Sequence, residues 1–441
     1  MRFRSTRRRA PALGLSEAML AGLAPDGGLY VPESFPRFRV EDFDGLEAWG
    51  RIGARLLAPF FEGDALQTHL PDICREAFDF PVTLRELDAE TSVLELFHGP
   101  TGAFKDVGAR FLAACVSRLP GRRTVLVATS GDTGGAVAAA FHGRAGVRVL
   151  ILFPEGKVSP RQQQQLTCWG GNVSALAVRG DFDDCQRVVK EAFMRREWAE
   201  SQGLLSANSI NLGRLLPQSA YYAAASLWHS RRRGAAPGFV IPSGNLGNAV
   251  AAFWARRMGL PVREIALASN ENRAVPEYFA TGQWAARGTV ATLANAMDVG
   301  NPSNAERLFD LHPDVEELRR VARASTVADE EIARTIREEA AAGEVFDPHT
   351  ATAVFVRRSL KTPHEGSQTP HEGSQTPDEA SQNSHWVVVS TAHPAKFEST
   401  VEPLVGRALE VPACLAELLE RPARFREIDP TFDSLAAALR A

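Results

Sequence analysis

The stretch LELFHGPTGAFKDVGARF, at residues 94–111, decides how the rest of the chain is organised. An apolar run ends in the turn-forming HGPTG, and Phe104, Lys105 and Asp106 then begin a predicted helix. Lysine is favoured late in a helix, where the dipole stabilises a positive charge, rather than in the first turn. Lys105 therefore indicates an amine held for chemistry, although a solvated surface lysine explains this stretch alone equally well.

Length and composition limit the class of protein. The 441 residues allow about three domains of roughly 150 residues each. The net charge of -4 argues against nucleic acid as a partner. Five cysteines without zinc-finger or redox spacing fit a reducing cytoplasm and predict no metal site. The sequence has no signal-peptide pattern and no run of about 18 apolar residues, so we expect no membrane partner.

A regular alternation of strands and helices begins near residue 124. Residues 1–90 mix short helical and loop signals and predict a mostly helical N-terminal region packed against the main body. Beyond them, apolar strands such as TVLVATS and VRVLILFP alternate with helices, which is typical of parallel sheets covered on both faces. The sequence therefore predicts an α/β fold with ligands at the carboxyl ends of the strands.

Two strand–loop–helix units, at 124–140 and 239–254, share one design. Their loops, GDTGG and GNLGN, present backbone N–H groups at a helix N-terminus, which suits an anion. Ser130 and Thr133 add side-chain donors in the first loop, and Ser243 and Asn245 add them in the second. A tight strand-to-helix turn is the alternative for either loop. Neither has the GxGxxG spacing, so a nicotinamide dinucleotide is disfavoured.

Another candidate anion site combines PEGKVSPRQQQQL (154–166) with SANSINLGR (206–214). An arginine with serine and asparagine donors can hold a phosphate through two hydrogen bonds. Without the other motifs, a helix with Ser159 as its N-cap and Pro160 at its first position, and a solvated arginine, are the favoured interpretation. The candidate residues are Lys157, Ser159, Asn208, Asn211 and Arg214.

Polar residues also follow a strand predicted at 386–390. Thr391 lies at its carboxyl end, where ligands bind, and could equally cap the next helix. In DPHTA, Asp347 or Thr350 is a similar helix cap, and His349 is interpreted as structural.

The stretch 362–384 differs in kind from the rest of the chain. PHEGSQT occurs twice in succession and a degraded third copy follows. The repeat has no apolar positions, so we interpret it as a low-complexity, disordered insertion on the surface. His364 and His371 are seven residues apart in this insertion, and we do not expect them to bind a metal.

Longer motifs resemble those of one family. They are ELFHGPTGAFKD, ATSGDTGGA, PSGNLGN, NAMDVGNPSN and TAHPAKF. These are similar to motifs of threonine synthases, which belong to the fold-type II pyridoxal-phosphate enzymes. The resemblance covers nearly the whole chain apart from the repeat. One departure is Leu246, where relatives often carry phenylalanine.

The resemblance implies two doubly wound α/β domains of the tryptophan-synthase β-subunit-like type, behind the N-terminal region. The implied division is an N-terminal region at 1–90, a large cofactor-binding domain at 91–118 and 225–441, and a small substrate-binding domain at 119–224. The insertion at 362–384 falls within the large domain.

The resemblance also implies roles for individual residues. Lys105 would carry pyridoxal 5'-phosphate as a Schiff base and move a proton at the substrate α-carbon. Thr391 would face the pyridine nitrogen. The cofactor phosphate would be held by Gly244, Asn245, Leu246, Gly247 and Asn248. The substrate carboxylate would be bound by Ser130, Gly131, Asp132 and Thr133. The candidates for the substrate phosphate are Lys157, Ser159, Asn208, Asn211 and Arg214.

The implied reaction eliminates phosphate from O-phospho-L-homoserine and adds water at the β-carbon to give L-threonine. A serine/threonine dehydratase, or another fold-type II lyase, is the nearer alternative, and a binding protein without catalysis is the more distant one. We expect a cytoplasmic monomer or homodimer whose partner is this small substrate.

Overall fold

This computed structural model describes residues 1–129, 131–360 and 385–440. Ser130 and the predicted insertion at 362–384, with His364 and His371, lie outside the described residues. Among the described residues, no helix is long and apolar enough to cross a lipid bilayer.

The described residues form thirteen strands in three sheets. The strands are β1 (Phe3–Ser5), β2 (Tyr30–Pro32), β3 (Thr83–Asp88), β4 (Thr91–Glu95), β5 (Arg123–Ala128), β6 (Val147–Pro154), β7 (Val173–Val178), β8 (Leu204–Ser206), β9 (Gly238–Pro242), β10 (Ile265–Ser269), β11 (Ala322–Thr326), β12 (Trp386–Ser390) and β13 (Arg426–Ile428).

The same residues form nineteen α-helices. The helices are α1 (Leu15–Ala21), α2 (Trp49–Leu57), α3 (Leu70–Ala77), α4 (Lys105–Val116), α5 (Asp132–Phe141), α6 (Pro160–Thr167), α7 (Phe182–Met194), α8 (Arg196–Ser201), α9 (Leu212–Leu215), α10 (Ser219–Arg233), α11 (Gly247–Arg257), α12 (Ala274–Thr281), α13 (Ala305–Leu311), α14 (Val315–Arg319), α15 (Asp329–Ala341), α16 (Pro348–Ser359), α17 (Glu398–Val405), α18 (Ala413–Leu419) and α19 (Phe432–Arg440). Two short 3-10 turns, Asn295–Met297 and Pro394–Phe397, border the site described below.

Two large sheets, each crossed by helices, form the body of the molecule. The six-stranded sheet has the order β11-β10-β9-β12-β4-β3 and is parallel except for β3, which pairs antiparallel with β4. The five-stranded sheet has the order β13-β7-β6-β5-β8 and is parallel throughout. Helices connect the parallel strands, so the predicted α/β class with two doubly wound sheets is confirmed.

Both faces of the six-stranded sheet are covered. Because successive strand residues point to opposite faces, Ile241 and Val389 join the core that includes the N-terminal helices. Val240 and Val388 point the other way and pack in a second core with Ile336 of α15. With both faces filled by apolar side chains, a polar ligand reaches this sheet only at the strand ends.

Two strands pair across the boundaries of the implied domain division, which remains a prediction. Strand β3 belongs to the six-stranded sheet although it lies within the predicted N-terminal region at 1–90. Strand β13 pairs with β7 of the five-stranded sheet, whereas residues 225–441 were assigned to the large domain. The sequence of β13, REI, has no apolar run, so its strand character comes from pairing with β7 rather than from a local pattern.

Candidate active site

The candidate site lies where the carboxyl ends of five strands meet. Strands β9, β12 and β4 are neighbours in the six-stranded sheet, and they lead to GNLGN, Thr391 and the turn before Lys105. Strands β5 and β8 are neighbours in the five-stranded sheet, and they lead to the SGDTGG loop (130–135, described from 131) and to residues 207–214. The motifs singled out from the sequence therefore follow adjacent strand ends, as is usual for ligand sites in such sheets.

Hydrogen bonds fix the turn that carries Lys105. The backbone N–H and the hydroxyl of Thr101 donate to the two carboxylate oxygens of Asp106, at 2.9 and 2.8 Å. The N–H of Phe104 donates to the carbonyl of Thr391, at 2.9 Å. Helix α4 begins at Lys105, as the sequence predicted. The backbone of Lys105 is thereby held beside the end of β12.

The amine of Lys105 is partly buried and has no hydrogen-bond or ion-pair partner among the residues that the structure describes. Burial lowers the pKa of this amine; Asp132 opposes the effect, and Arg214 and Lys396 add to it. The positive end of the α4 dipole acts in the same direction as burial. A larger fraction of the amine is therefore neutral near pH 7, which is the form that attacks a carbonyl.

The GNLGN loop offers a row of backbone donors. In the described structure, no acceptor receives a hydrogen bond from the backbone N–H groups of residues 244–249. Leu246 has φ 58°, in the left-handed region, and helix α11 begins directly after it, at Gly247. Successive N–H groups in such a turn, at the positive end of a helix, form a site suited to an anion.

Side chains on both sides of this loop hold it in place. Asn304 Nδ2 donates to the carbonyl of Asn245 at 3.0 Å, and Asn245 Nδ2 donates to Ser209 Oγ at 2.6 Å. Asn248 Oδ1 accepts hydrogen bonds from the hydroxyls of Tyr221 and Tyr222, at 2.6 and 2.7 Å. Asn248 Nδ2 is buried and has no described partner. It is a further donor available to an anion in the loop.

Thr391 is fixed through its backbone, and its side chain is left free. Its N–H donates to Thr350 Oγ1 at 3.4 Å, and Thr350 Oγ1 also contacts Ser390 Oγ at 3.1 Å. Thr350 in turn donates to the carboxylate of Asp347, which caps α16. The hydroxyl of Thr391 has no hydrogen-bond partner within the described ranges, so it is available to a ligand.

His349 is part of the scaffold around this strand end. Its Nδ1 contacts Asp347 Oδ1 at 2.7 Å, and its Nε2 accepts the N–H of Ala296 at 3.0 Å. Because Nε2 is the acceptor, the proton lies on Nδ1 and points at Asp347. His349 thus fastens the Asn295–Met297 turn to α16, which agrees with its interpretation as structural.

The SGDTGG loop is held by Thr129, whose Oγ1 accepts hydrogen bonds from the N–H groups of Gly131 and Gly134, at 3.0 and 2.9 Å. Asp132 begins α5 and is buried, and its carboxylate lies 3.1 Å from Lys396 Nζ. Burial alone would raise the pKa of Asp132, but Lys396 and Lys105 lower it to about 2. The carboxylate of Asp132 would repel the carboxylate of a ligand. Asp132 can therefore bind such a ligand only through its backbone N–H. The hydroxyl of Thr133 is partly exposed.

Arg214 and Asn208 carry unsatisfied groups in the same region; in Asn208 it is the buried acceptor Oδ1, while Nδ2 donates to the carbonyl of Ala128 at 3.5 Å. Arg214 is buried and donates to the carbonyl of Ala207, while its Nε has no described partner. Burial lowers the pKa of Arg214 to about 10, with Asp106 opposing. A Cβ built on Gly108 would lie 3.1 Å from Arg214 Nε, so the guanidinium lies against α4 one turn beyond Lys105. A buried cation with an unused donor is suited to an anionic ligand.

The other three candidates for a substrate phosphate are placed differently. Asn211 is fully buried, and both hydrogens of its amide are used by the carbonyls of Met19 and Ser206, at 2.8 Å each. Ser159 caps α6 as the sequence predicted, with its Oγ accepting the N–H of Gln162. Lys157 is exposed. Asn211 and Ser159 are thus occupied in holding local structure.

Within the described residues, the arrangement provides an amine with a lowered pKa, a row of N–H groups without acceptors that suits an anion, and the Thr391 hydroxyl without a partner at the next strand end. The profile of the Pyridoxal-phosphate dependent enzyme family matches residues 82–369. Profiles of the Threonine synthase N terminus and the Threonine synthase C-terminal region match residues 2–78 and 373–438.

Whole-length relatives point to the same family. The threonine synthase of Serratia marcescens is 38% identical over 430 residues, which cover 96% of this chain and 95% of that protein. The chain belongs to the threonine synthase family. The resemblance stated from the sequence motifs is therefore confirmed. The threonine synthase of Escherichia coli (strain K12) is 37% identical, with the same coverage.

Solved structures of threonine synthases share the fold. The crystal structure from Escherichia coli has a TM-score of 0.89 and 35% identity, covering 100% of this chain and 99% of that one. The PLP-bound threonine synthase from Brucella melitensis gives the same TM-score, identity and coverage. The predicted fold-type II architecture is thus confirmed for this member of the family.

Two buried cations of this threonine synthase family member were not selected from the sequence. Lys396 is fully buried beside Asp132. Its position in TAHPAKF, directly after a strand, is the sequence feature that could have identified it as a candidate site residue. Arg307 is also fully buried and donates to the carbonyls of Tyr30 and Ile210 and to Asn304 Oδ1, at 2.7–3.1 Å. Arg307 follows the NAMDVGNPSN motif closely, but no local pattern distinguished it from a surface arginine.

Proposed function

We propose that this chain converts O-phospho-L-homoserine and water to L-threonine and inorganic phosphate, with pyridoxal 5'-phosphate as cofactor. The observation that carries the proposal is the Lys105 amine, which has a lowered pKa and no partner among the described residues, on a turn hydrogen-bonded to Thr391. Membership of the threonine synthase family supports the substrate, and the GNLGN donors support a phosphorylated cofactor.

The residues present fit pyridoxal phosphate. The free N–H groups of residues 244–249 and Asn248 Nδ2 would hold its phosphate, and Lys105 Nζ would bind its aldehyde carbon. Thr391 would place its hydroxyl at the pyridine nitrogen. When bound, pyridoxal phosphate supplies the electron sink that stabilises negative charge on the substrate carbons.

The side chains then orient the substrate and move its protons. Lys105 Nζ, once free, would accept the α-proton of the substrate, and the hydrogen-bonded turn at the start of α4 would keep the amine at that carbon. Thr391 carries no formal charge, so it leaves the pyridine nitrogen less protonated than a carboxylate would. Loss of the γ-phosphate also requires removal of one β-proton. The two protons removed would return to the γ-carbon and the α-carbon, and water would add its hydroxyl at the β-carbon while its remaining proton goes to the released phosphate.

Two groups of donors would hold the ends of the substrate. Ser130, the backbone N–H of Asp132, and Thr133 would bind the carboxylate at the N-terminus of α5, and Gly131, whose N–H donates to Thr129 Oγ1, would shape the turn that presents them. Arg214 would bind the γ-phosphate, because the buried charge of Arg214 has no ion-pair partner among the described residues. Asn208 would lie beside it. Lys157 would approach from the exposed side, and Asn211 and Ser159 would position the loop and helix around the phosphate.

Substrate discrimination tests the proposal. The purified protein loaded with pyridoxal phosphate should release inorganic phosphate and L-threonine from O-phospho-L-homoserine in equal amounts. L-Serine and L-threonine should give no 2-oxo acid at a comparable rate. A preference for these two amino acids, with ammonia released, would instead identify a serine/threonine dehydratase.

Gly244→Ala is expected to weaken cofactor binding tenfold or more, which corresponds to about 1.4 kcal/mol. A Cβ at this position would lie 2.6 Å from Met297 Cα, so the loop or the Asn295–Met297 turn must move. The N–H groups that surround the phosphate would move with it. Titration of the cofactor-free variant with pyridoxal phosphate, followed by absorbance, measures the dissociation constant.

Gly288→Ala is the matched control, because a Cβ there meets nothing within 4 Å. It should leave the dissociation constant unchanged. Equal affinities for the two variants would show that Gly244 does not line the phosphate site.

We also propose a cytoplasmic location for the enzyme, as predicted. All five cysteines, including the buried Cys74 and Cys115, are free thiols, which supports a reducing compartment. The predicted monomer or homodimer remains a prediction.

A further inference from the structure

A buried ion pair joins the two large sheets next to Lys105. Lys396 lies in the turn after β12 of the six-stranded sheet, and Asp132 begins the helix after β5 of the five-stranded sheet. Lys396 Nζ lies 3.1 Å from Asp132 Oδ1, and both side chains are almost completely withdrawn from solvent. The proposed function gives neither side chain a role in binding substrate or cofactor.

All three donors of the Lys396 ammonium group are used. Besides Asp132, Nζ donates to the carbonyl of Thr101 at 2.5 Å and to Gln165 Oε1 at 3.0 Å. Thr101 belongs to the turn that holds Asp106 and carries Lys105. Lys396 therefore connects the Lys105 turn, the SGDTGG loop and helix α6 through a single atom.

A buried ion pair of this kind contributes little net stability, because desolvation of the two charges offsets their attraction. Apolar side chains of similar volume would fill the space at least as well. Its place beside the reactive amine suggests a different use. We propose that Lys396 and Asp132 form a positioning pair that holds the Lys105 turn against the SGDTGG loop and sets the charge around the Lys105 amine.

The charges around Lys105 come from several elements. Asp132 on α5 favours the ammonium form of Lys105, whereas Arg214 on α9 and Lys396 oppose it. Asp106, on α4 itself, faces Arg214 and Lys396, and His349 on α16 faces Asp132. Lys396 neutralises Asp132 and so prevents its carboxylate from holding Lys105 as an ammonium ion. The pair thereby keeps the Lys105 amine available to an aldehyde.

This inference rests on the proposed function, in which Lys105 is the reactive amine. Its test does not need the cofactor. Trace acylation of the cofactor-free protein, followed by peptide mass spectrometry across a range of pH, reports the titration midpoint of each lysine. The exposed Lys190 serves as an internal reference in every sample. The variants are Lys396→Met, Asp132→Asn and the double substitution, and Asp183→Asn is the matched control on an exposed helix start.

We expect the Lys105 midpoint to rise by about one pH unit in Lys396→Met and to fall by about one unit in Asp132→Asn. In the double variant, the Lys105 midpoint should lie close to that of the unmodified protein. If the pair were purely structural, the Lys105 midpoint would move in the same direction in both single variants, or in neither of them. Either result would overturn the proposal.

Folding of each variant is checked by thermal unfolding of the cofactor-free protein. If Lys396→Met does not fold, Asp132→Asn decides alone: a lower Lys105 midpoint supports the proposal, and an unchanged or higher midpoint contradicts it. The protein could fail to form L-threonine while the Lys105 midpoint still shifts in opposite directions in the two single variants. That outcome would overturn the proposed function but would support the effect of Lys396 and Asp132 on Lys105.

Discussion

Lys105→Ala is expected to abolish phosphate release from O-phospho-L-homoserine, with a loss of at least about 10³-fold. General acid–base catalysis alone contributes roughly 10²–10⁴-fold, and in the proposed function this side chain would also provide the covalent attachment of the cofactor. Alanine at the start of α4 is an excellent helix former, so the variant should fold. Rates of phosphate release by the two proteins, at saturating cofactor, give the measurement.

The lysines of this chain allow the attachment site to be identified directly. They are Lys105, Lys157, Lys190, Lys361 and Lys396. Borohydride reduction of the cofactor-loaded protein should place the label on the peptide containing Lys105, and Lys105→Ala should lose it. Lys190→Ala, an exposed control on α7, should keep both label and activity. Label on Lys396, the buried neighbour, would mean that the catalytic amine had been misassigned.

Arg214→Met is expected to lower kcat/KM for O-phospho-L-homoserine about 10²–10³-fold. Removing one partner of a buried charged contact costs roughly 2–5 kcal/mol, and each 1.4 kcal/mol is about tenfold. The loss should fall mainly on KM, because the guanidinium would hold the phosphate in both the ground state and the transition state. Steady-state kinetics with varied substrate separates the two constants.

Arg214 is buried, so a control must separate binding from folding. Arg110→Met removes another arginine of the same region, one that donates to the carbonyls of Glu76 and Ala77 away from the strand ends. Both variants should still attach the cofactor to Lys105, and only Arg214→Met should raise KM. An unchanged KM in Arg214→Met would assign the substrate phosphate to other residues.

Much of the site could be predicted because its parts are local in sequence. The Lys105 turn, GNLGN and Thr391 each follow a strand whose apolar run is continuous, and parallel strands bring their carboxyl ends together. The cap formed by Ser159 and Pro160 was likewise predictable from its own few residues. In each case a short pattern and one rule of sheet topology were sufficient.

The remainder depends on contacts between distant segments. Lys396 is 264 residues from Asp132 in the chain, and nothing in TAHPAKF shows that its lysine is buried against the SGDTGG loop. Asn211 has the chemistry of a phosphate ligand, yet its amide is used by Met19 and Ser206. Strand β13 was missed because pairing with β7, rather than its own composition, makes it a strand.

The buried Arg307 bears on how far this enzyme can be trimmed. Its guanidinium binds a carbonyl in β2, a carbonyl in the Asn208–Asn211 segment, and the amide of Asn304 that holds the GNLGN loop. Deletion of residues 1–80 would remove the Tyr30 carbonyl that accepts hydrogen bonds from Arg307 and would expose the guanidinium to water. The leading segment therefore contributes, through Arg307 and Asn304, to the support of the GNLGN loop.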